Sequence, residues 1–326
     1  MTEQPPTPLA FSGSRLGWAD LPRAVRRRIA EMAGAEVTAE ASATNGFSPG
    51  YAAVLDLADG TQVFVKAVSP EQNPDSPDLA RAEMRASEHV PDGVCAPELL
   101  WSDDDGTWVL LGFAPVHGRT PESPWRADEL SRVLEAVAEL ADNGTPFSGR
   151  LPPLAAGLAR FMSGWRALAQ DGAALDRAVD AAGAHGAWLR AHLDELCELE
   201  TEGPRAATGT TLVHNDLRAD NILLDADDER VWLIDWPHAS ADGARWFDLL
   251  GMLPSVAMQG GGDPAEHFWR HPNARGADRD AVRAALAGLA GYFVHGSVQP
   301  PPRGIANLRA FQGAQGRAAL AWLSTF

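Results

Sequence analysis

The sequence predicts an α+β chain of two unequal lobes, a small one built on an antiparallel sheet and a larger, mainly helical one. Residues 35–68 alternate with the period of strands around an Asp59-Gly60 turn. Beyond residue 113 the composition shifts to Ala, Leu, Arg and Glu and the period becomes helical. One strand-rich patch, 211–234, interrupts those helices. With 326 residues, 45% hydrophobic and 22% charged, the chain is long enough to bury a core in each lobe.

Residues 1–17, rich in Pro, Ser and Gly, read as a loose tail. The small lobe is expected over 18–112. In it Asp20 is expected to cap a helix that sets Leu21, Val25, Ile29 and Met32 on one face. Three short antiparallel strands follow, the last two being 51–57 and 61–68. A helix then runs through Leu79, Ala82, Met84, Ala86 and His89. A second hairpin joins 99–101 to 108–111 across Asp103-Asp104-Asp105-Gly106. The larger lobe is expected over 113–326, helical from about Asp128 to Leu199 with breaks at Asn143-Gly144 and Leu151-Pro152-Pro153. Strands at 211–213, 222–224 and 231–234 precede a return to helix from about Arg245. A cleft between unequal lobes is where a ligand is expected.

The balance of 27 basic against 44 acidic residues, a net charge of −17, argues against nucleic acid or an anionic membrane as partner. Two cysteines, Cys95 and Cys197, support no disulfide framework, so a reducing cytoplasm is expected. No apolar run reaches the roughly 18 residues of a membrane span.

The strongest chemical signal is His214-Asn215-Asp216-Leu217-Arg218-Ala219-Asp220-Asn221, followed by a strand and then Ile234-Asp235-Trp236. It fits H-x-D-x-x-x-x-N, the catalytic-loop pattern of phosphoryl transfer to a hydroxyl. Asp235 ends the returning strand, so three oxygen-bearing side chains can converge on a hard cation such as Mg²⁺. Lys66 is a separate signal. It is the only lysine among the 27 basic residues, and it falls on a small-lobe strand where a compact point charge would reach phosphates in a narrow cleft.

On Val213 to Leu224, Leu233 to Trp236 and Phe64-Val65-Lys66, the chain resembles the aminoglycoside phosphotransferase family of small-molecule kinases, which share the protein-kinase-like fold and are similar to choline kinases. The resemblance spans about residues 35 to 325. It implies an ATP- and Mg²⁺-dependent phosphotransferase, with GTP an open alternative. By the resemblance Asp216 would accept or orient the substrate hydroxyl proton. Asn221 and Asp235 would hold Mg²⁺ against the β- and γ-phosphates, and Arg218 would neutralise the transferring phosphoryl. Glu83 on the next helix would hold Lys66, with Glu88 the alternative. The hinge 110–114 would offer adenine the C=O of Gly112 and the N–H of Ala114. His214 is expected to support the loop from a buried position, and Asp220 to face solvent or cap the loop.

Gly46-Phe47-Ser48-Pro49-Gly50 would lay its backbone over the phosphates, with Ser48 offering N–H and hydroxyl. It also fits the nucleophile elbow G-x-S-x-G. An elbow needs a helix next, whereas the pattern of Tyr51–Leu57 is that of a strand, and the hydrolase reading is set aside. His267 and His271 stand four apart without a third ligand, so a metal there is not expected.

Trp236-Pro237 follows Asp235 where a protein kinase has Phe-Gly, which disfavours protein substrates. Asn215 stands where many aminoglycoside enzymes have Gly and choline kinases tend to have Asn. The acceptor expected is a small hydroxylated molecule: an aminoglycoside or other cationic antibiotic, or an amino-alcohol, sugar or amino-acid hydroxyl. Carboxylates for a cationic acceptor are available at Asp194, Glu195, Glu198, Glu200, Glu202, Asp263 and Glu266. A silent nucleotide-binding protein of the same fold is a further reading, opposed by the intact Lys66, Asp216, Asn221 and Asp235. Oligomeric state is left open.

Overall fold

The computed structural model describes residues 8, 15–43, 46, 49–225 and 230–326. Most of the tail expected over 1–17, and Ser48, lie outside the described residues.

Five strands make the first sheet: β1 (Val37–Ser42), β2 (Tyr51–Leu57), β3 (Gln62–Val68), β4 (Leu99–Asp104) and β5 (Val109–Phe113), in the order β1-β2-β3-β5-β4, all antiparallel. Alternation in β2 and β3 puts Ala53, Leu55, Val63 and Val65 on the side where α1 (Arg23–Ala33) inserts Val25 and Ile29. The other side of the sheet packs on α2 (Ser76–Ser87) through Val68, Ala80, Leu111 and Phe113.

Asp20 does not cap α1, contrary to expectation. Its carboxylate accepts the N–H of Gly17 in a 3-10 turn, and Pro22, which has no N–H, stands at the helix start. The second helix starts at Ser76, three residues before the first of the expected apolar positions, with Pro77 in its first turn. A strand, β2, follows Gly50, as the rejection of a nucleophile elbow requires.

Past the sheet, β6 (Gly118–Arg119) joins β8 (Ile222–Asp225) and β9 (Val231–Leu233) in a small antiparallel sheet, while β7 (Thr208–Val213) pairs with β10 (Ser240–Gly243). The first and last of these strands carry too few apolar residues to be read from periodicity. The helices are α3 (Ala127–Asn143), α4 (Leu154–Phe161), α5 (Gly164–Gln170), α6 (Gly172–Ala181), α7 (Gly186–Ala191), α8 (Leu193–Ala206), α9 (Phe247–Met258), α10 (Pro264–Arg270), α11 (Arg279–Ser297) and α12 (Leu308–Leu323). They share one core centred on α11, which packs against both α8 and α12. Buried side chains such as Leu154, Phe247 and Phe268 each contribute about 1.5–3 kcal/mol to that core. None of the described helices is long and apolar enough to cross a membrane.

Candidate active site

Between the sheet and the helical region lies a cleft of about 750 Å³, lined by Lys66, Glu83, Asn221 and Asp235 among others. Lys66 reaches it because strand alternation turns this side chain away from the α1 core. Its Nζ lies 2.7 and 2.8 Å from the Glu83 carboxylate oxygens and 2.6 Å from Asp235 Oδ1. Burial works against the ammonium, but the carboxylates of Asp235 and Glu83 outweigh it and raise the lysine pKa above its ordinary value. The same ion pair overrides burial at Asp235 and holds that carboxyl down at about 2. Glu83, 4% exposed, is pushed up by burial and by the charge of Asp235. The Lys66 ammonium also lies 5.8 Å from the centre of the Phe113 ring.

The segment from β7 to β8 forms the loop that separates this cleft from a second, smaller cavity. Asn215 and Asp235 hold left-handed backbone, φ 62° and 67°, a conformation that costs a non-glycine residue free energy and persists only where its surroundings impose it. Asp248, in the first turn of α9, supplies part of that constraint: its two oxygens accept the N–H groups of His214 and Asn215 at 2.8 and 2.7 Å. Burial raises the Asp248 pKa to about 6 despite these bonds. His214 lies under the loop, its Nε2 3.0 Å from the Ile234 carbonyl oxygen and its ring 4.5 Å from that of Trp236. Burial lowers its pKa to about 4, so the imidazole is neutral near pH 7.

Asp216 sits on the other side of the loop, in a cavity of about 150 Å³. Arg218 donates to its Oδ1, and Asn221 Nδ2 donates to its Oδ2 at 3.1 Å and to its backbone oxygen at 2.8 Å. Burial raises the Asp216 pKa, with Arg218 acting against the shift. Arg218 lines the smaller cavity and donates to Asp216 and Asp220 of the loop. Asp220 does not face solvent: its side chain, 5% exposed, takes a two-pronged contact from Arg218 with both distances 3.0 Å.

Gly112 lies inside the ladder, opposite Val65 and Trp101, and does not line the cleft. A Cβ there would lie 2.1 Å from the Trp101 indole, so glycine is required by packing. Ala114 lines the cleft, but its N–H already donates to the Glu98 carbonyl at 2.9 Å.

Of the acidic residues considered for a cationic acceptor, none lines the smaller cavity. Glu200 is fully buried and accepts the N–H groups of Trp165 and Arg166. Glu195 pairs with Arg283, Glu202 with Arg205 and Glu266 with Arg270, while Asp263 caps α10. His267 and His271 bond to the carbonyls of Gly261 and Leu134, and no group of three or more His, Cys, Asp or Glu able to hold a metal occurs among the described residues.

Sequence reasoning missed Arg15, which lines the cleft from the segment ahead of α1, its pKa lowered by burial against the opposing pull of Asp235. It also missed Gln315 and Tyr292 on the smaller cavity. These residues carry no local motif. Asp248 holds the loop backbone directly.

The sequence model of the phosphotransferase enzyme family matches residues 45–287. Among solved structures, a thermostable mutant of aminoglycoside phosphotransferase APH(4)-Ia superposes with a TM-score of 0.59 at 18% identity, covering 92% of this chain and 98% of the other. A ternary complex of a mutant of the same enzyme with ADP and hygromycin B gives a TM-score of 0.58 at 17% identity over the same shares. A fructosamine-3-kinase candidate from Haemophilus somnus 129PT gives 0.52 at 11%, covering 90% of this chain and 96% of that one. No curated protein matches the chain. The fold is therefore the bilobal, protein-kinase-like fold.

Proposed function

The chain belongs to the phosphotransferase enzyme family and is a small-molecule phosphotransferase acting on hydroxyl groups, and on that premise we propose that it transfers the γ-phosphate of ATP to its acceptor with Mg²⁺ bound. The single observation that carries this reading is the two-sided loop: Asp216 opens to one cavity, while Asn221 and, beyond β9, Asp235 open to the other. A nucleotide would occupy the larger cleft and the acceptor the smaller cavity.

In the proposed reaction the acceptor oxygen forms a bond to the γ-phosphorus as the bond from that phosphorus to the β,γ-bridging oxygen breaks, and ADP leaves with the electron pair. The hydroxyl proton passes to the Asp216 carboxylate, whose raised pKa suits it to receive one. Arg218 and Asn221 fix that carboxylate, so Arg218 acts as a positioning residue. Lys66, held by Glu83, contacts the α- and β-phosphates. The donor set fits a hard cation: the Asp235 carboxylate and the Asn221 amide oxygen are oxygen ligands, and Mg²⁺ takes few protein ligands when phosphates supply the rest. When bound, the ion would neutralise charge developing on the phosphates. Because Ala114 already donates to Glu98, the adenine contact moves to Val116, the next residue with an N–H and also part of the cleft lining. Ser48 would contribute as a loop donor by resemblance alone.

The acceptor is a small hydroxylated molecule. A cationic antibiotic is supported by the aminoglycoside phosphotransferase relatives, and a sugar-like metabolite by the fructosamine-3-kinase candidate. The test is mass spectrometry of acceptor panels incubated with Mg·ATP. A mass gain of about 80 Da with wild type and none with Asp216→Asn is expected. A gain of equal size with the variant would refute the assignment.

A further inference from the structure

The charge and chemistry of the smaller cavity narrow the acceptor, an inference that rests on the phosphotransferase reading. Its volume of about 150 Å³ is that of an apolar cavity able to take one benzene ring. Phe161, Tyr292, Phe293 and Phe311 form its walls, with Phe161 and Tyr292 meeting edge to face at 5.8 Å and 75°. Two carboxylates line it. Asp216 is held by Arg218 and Asn221, and Asp248 has one oxygen on each of two backbone N–H groups. Aromatic walls can also attract a cation, but the Arg218 guanidinium, paired with Asp216 and Asp220, already lies 5.9 Å from the centre of the Phe311 ring and takes that place.

Gln315 adds a pointer of a different kind. It is 4% exposed, lines the cavity, and its side chain has no hydrogen-bond partner among the described residues. Its neighbour on α12, Gln312, is equally buried but accepts from Arg309 at 2.7 Å. The amide opens onto the cavity and is not sealed in the core, so a polar group of a ligand can take the place of water on it.

We propose that the acceptor enters this cavity with a neutral, apolar or aromatic body, its hydroxyl at Asp216 and one further uncharged polar group on Gln315. An acceptor that carries a cationic group, whether on that body or beside it, is disfavoured.

Two matched pairs test the charge rule on the full chain with Mg·ADP present. The first pair is 3,3-dimethylbutan-1-ol and choline, alike in shape and different in charge; the second is N-acetyltyrosinol and tyrosinol. Ligand-observed NMR should give the neutral member of each pair at least tenfold tighter binding, and hygromycin B should displace neither. Gln315→Leu should weaken N-acetyltyrosinol at least fivefold and leave 3,3-dimethylbutan-1-ol within twofold, since that alcohol has no group for the amide. Phe161 is 48% exposed, so Phe161→Ala disturbs little of the core and should weaken both neutral alcohols. Tighter or equal binding of choline or tyrosinol, displacement by hygromycin B, or failure of both neutral alcohols to bind would overturn the proposal. Mg·ATP titration is read separately: its failure counts against the phosphotransferase reading, whereas phosphorylation of hygromycin B counts against the neutral acceptor alone.

Discussion

The two cavities on either side of the loop 214–221 are built by different physics. The cleft of about 750 Å³ is organised by charge, with one ammonium between two carboxylates and each ionisation state fixed by the others. The cavity of about 150 Å³ is organised by packing, with aromatic walls from α4, α11 and α12 around two anchored carboxylates. A charge-built site tolerates a ligand whose phosphates bring their own charge and a metal. A packed site selects by shape and by the absence of charge. The difference implies that variants in the cleft change nucleotide affinity and turnover together, while variants in the cavity change the choice of acceptor.

The sharpest separation between the two is Asp216→Asn. Turnover, measured as ADP release with a phosphorylated acceptor, should fall by about 10²–10⁴-fold, with Mg·ATP affinity within roughly threefold of wild type. A matching loss of nucleotide affinity would erase the division. Asp235→Asn should act on the other side, weakening nucleotide binding about 10- to 100-fold in Mg²⁺ but hardly at all in EDTA, as calorimetry would show. Lys66→Arg keeps the charge but asks a planar fork to fit between Glu83 and Asp235; kcat/KM for ATP should drop by roughly 10-fold or more.

A smaller effect should appear in stability against pH. His214 is held neutral, with its folded pKa at about 4 against an ordinary 6.5. The unfolded chain therefore takes up the proton first as pH falls. The stabilisation is complete above about pH 6.5 and is lost progressively down to about pH 4, amounting to roughly 3 kcal/mol. Urea unfolding across that window should show wild type losing this much relative to His214→Gln. A constant difference between the two would show that burial does not hold the ring neutral. Smallest of all, Glu202→Gln removes an exposed pair with Arg205 and should change stability by less than about 0.5 kcal/mol and leave acceptor KM unchanged. A clear rise in acceptor KM would return the acidic face of α8 to the acceptor site.

The same division explains what the sequence disclosed. Lys66, Glu83, Asn221 and Asp235 sit in short segments whose residue types and strand alternation announce them. Gln315 and Tyr292 lie some 75 to 100 residues from Asp216 on helices whose patterns are those of ordinary packing, and only the fold of α11 against α12 brings them to the carboxylate. The hinge is legible as a region, but which of its N–H groups is already engaged is not, because the bond from Ala114 to Glu98 depends on how β4 approaches the end of β5. Arg15 was hidden in a stretch whose composition signals no regular structure. The positions of the main strands were legible because each rests on a local period; β6 and β10 were not, being too short to carry one.

The solitary lysine has a practical consequence. The chain offers amine-directed chemistry a single side chain, and that side chain is clamped between two carboxylates in the cleft. Acylating reagents, crosslinkers and isopeptide-forming modifiers that would decorate the exterior of most proteins find no lysine there. Any side-chain amine adduct on this protein is therefore a report on Lys66 and on access to the cleft.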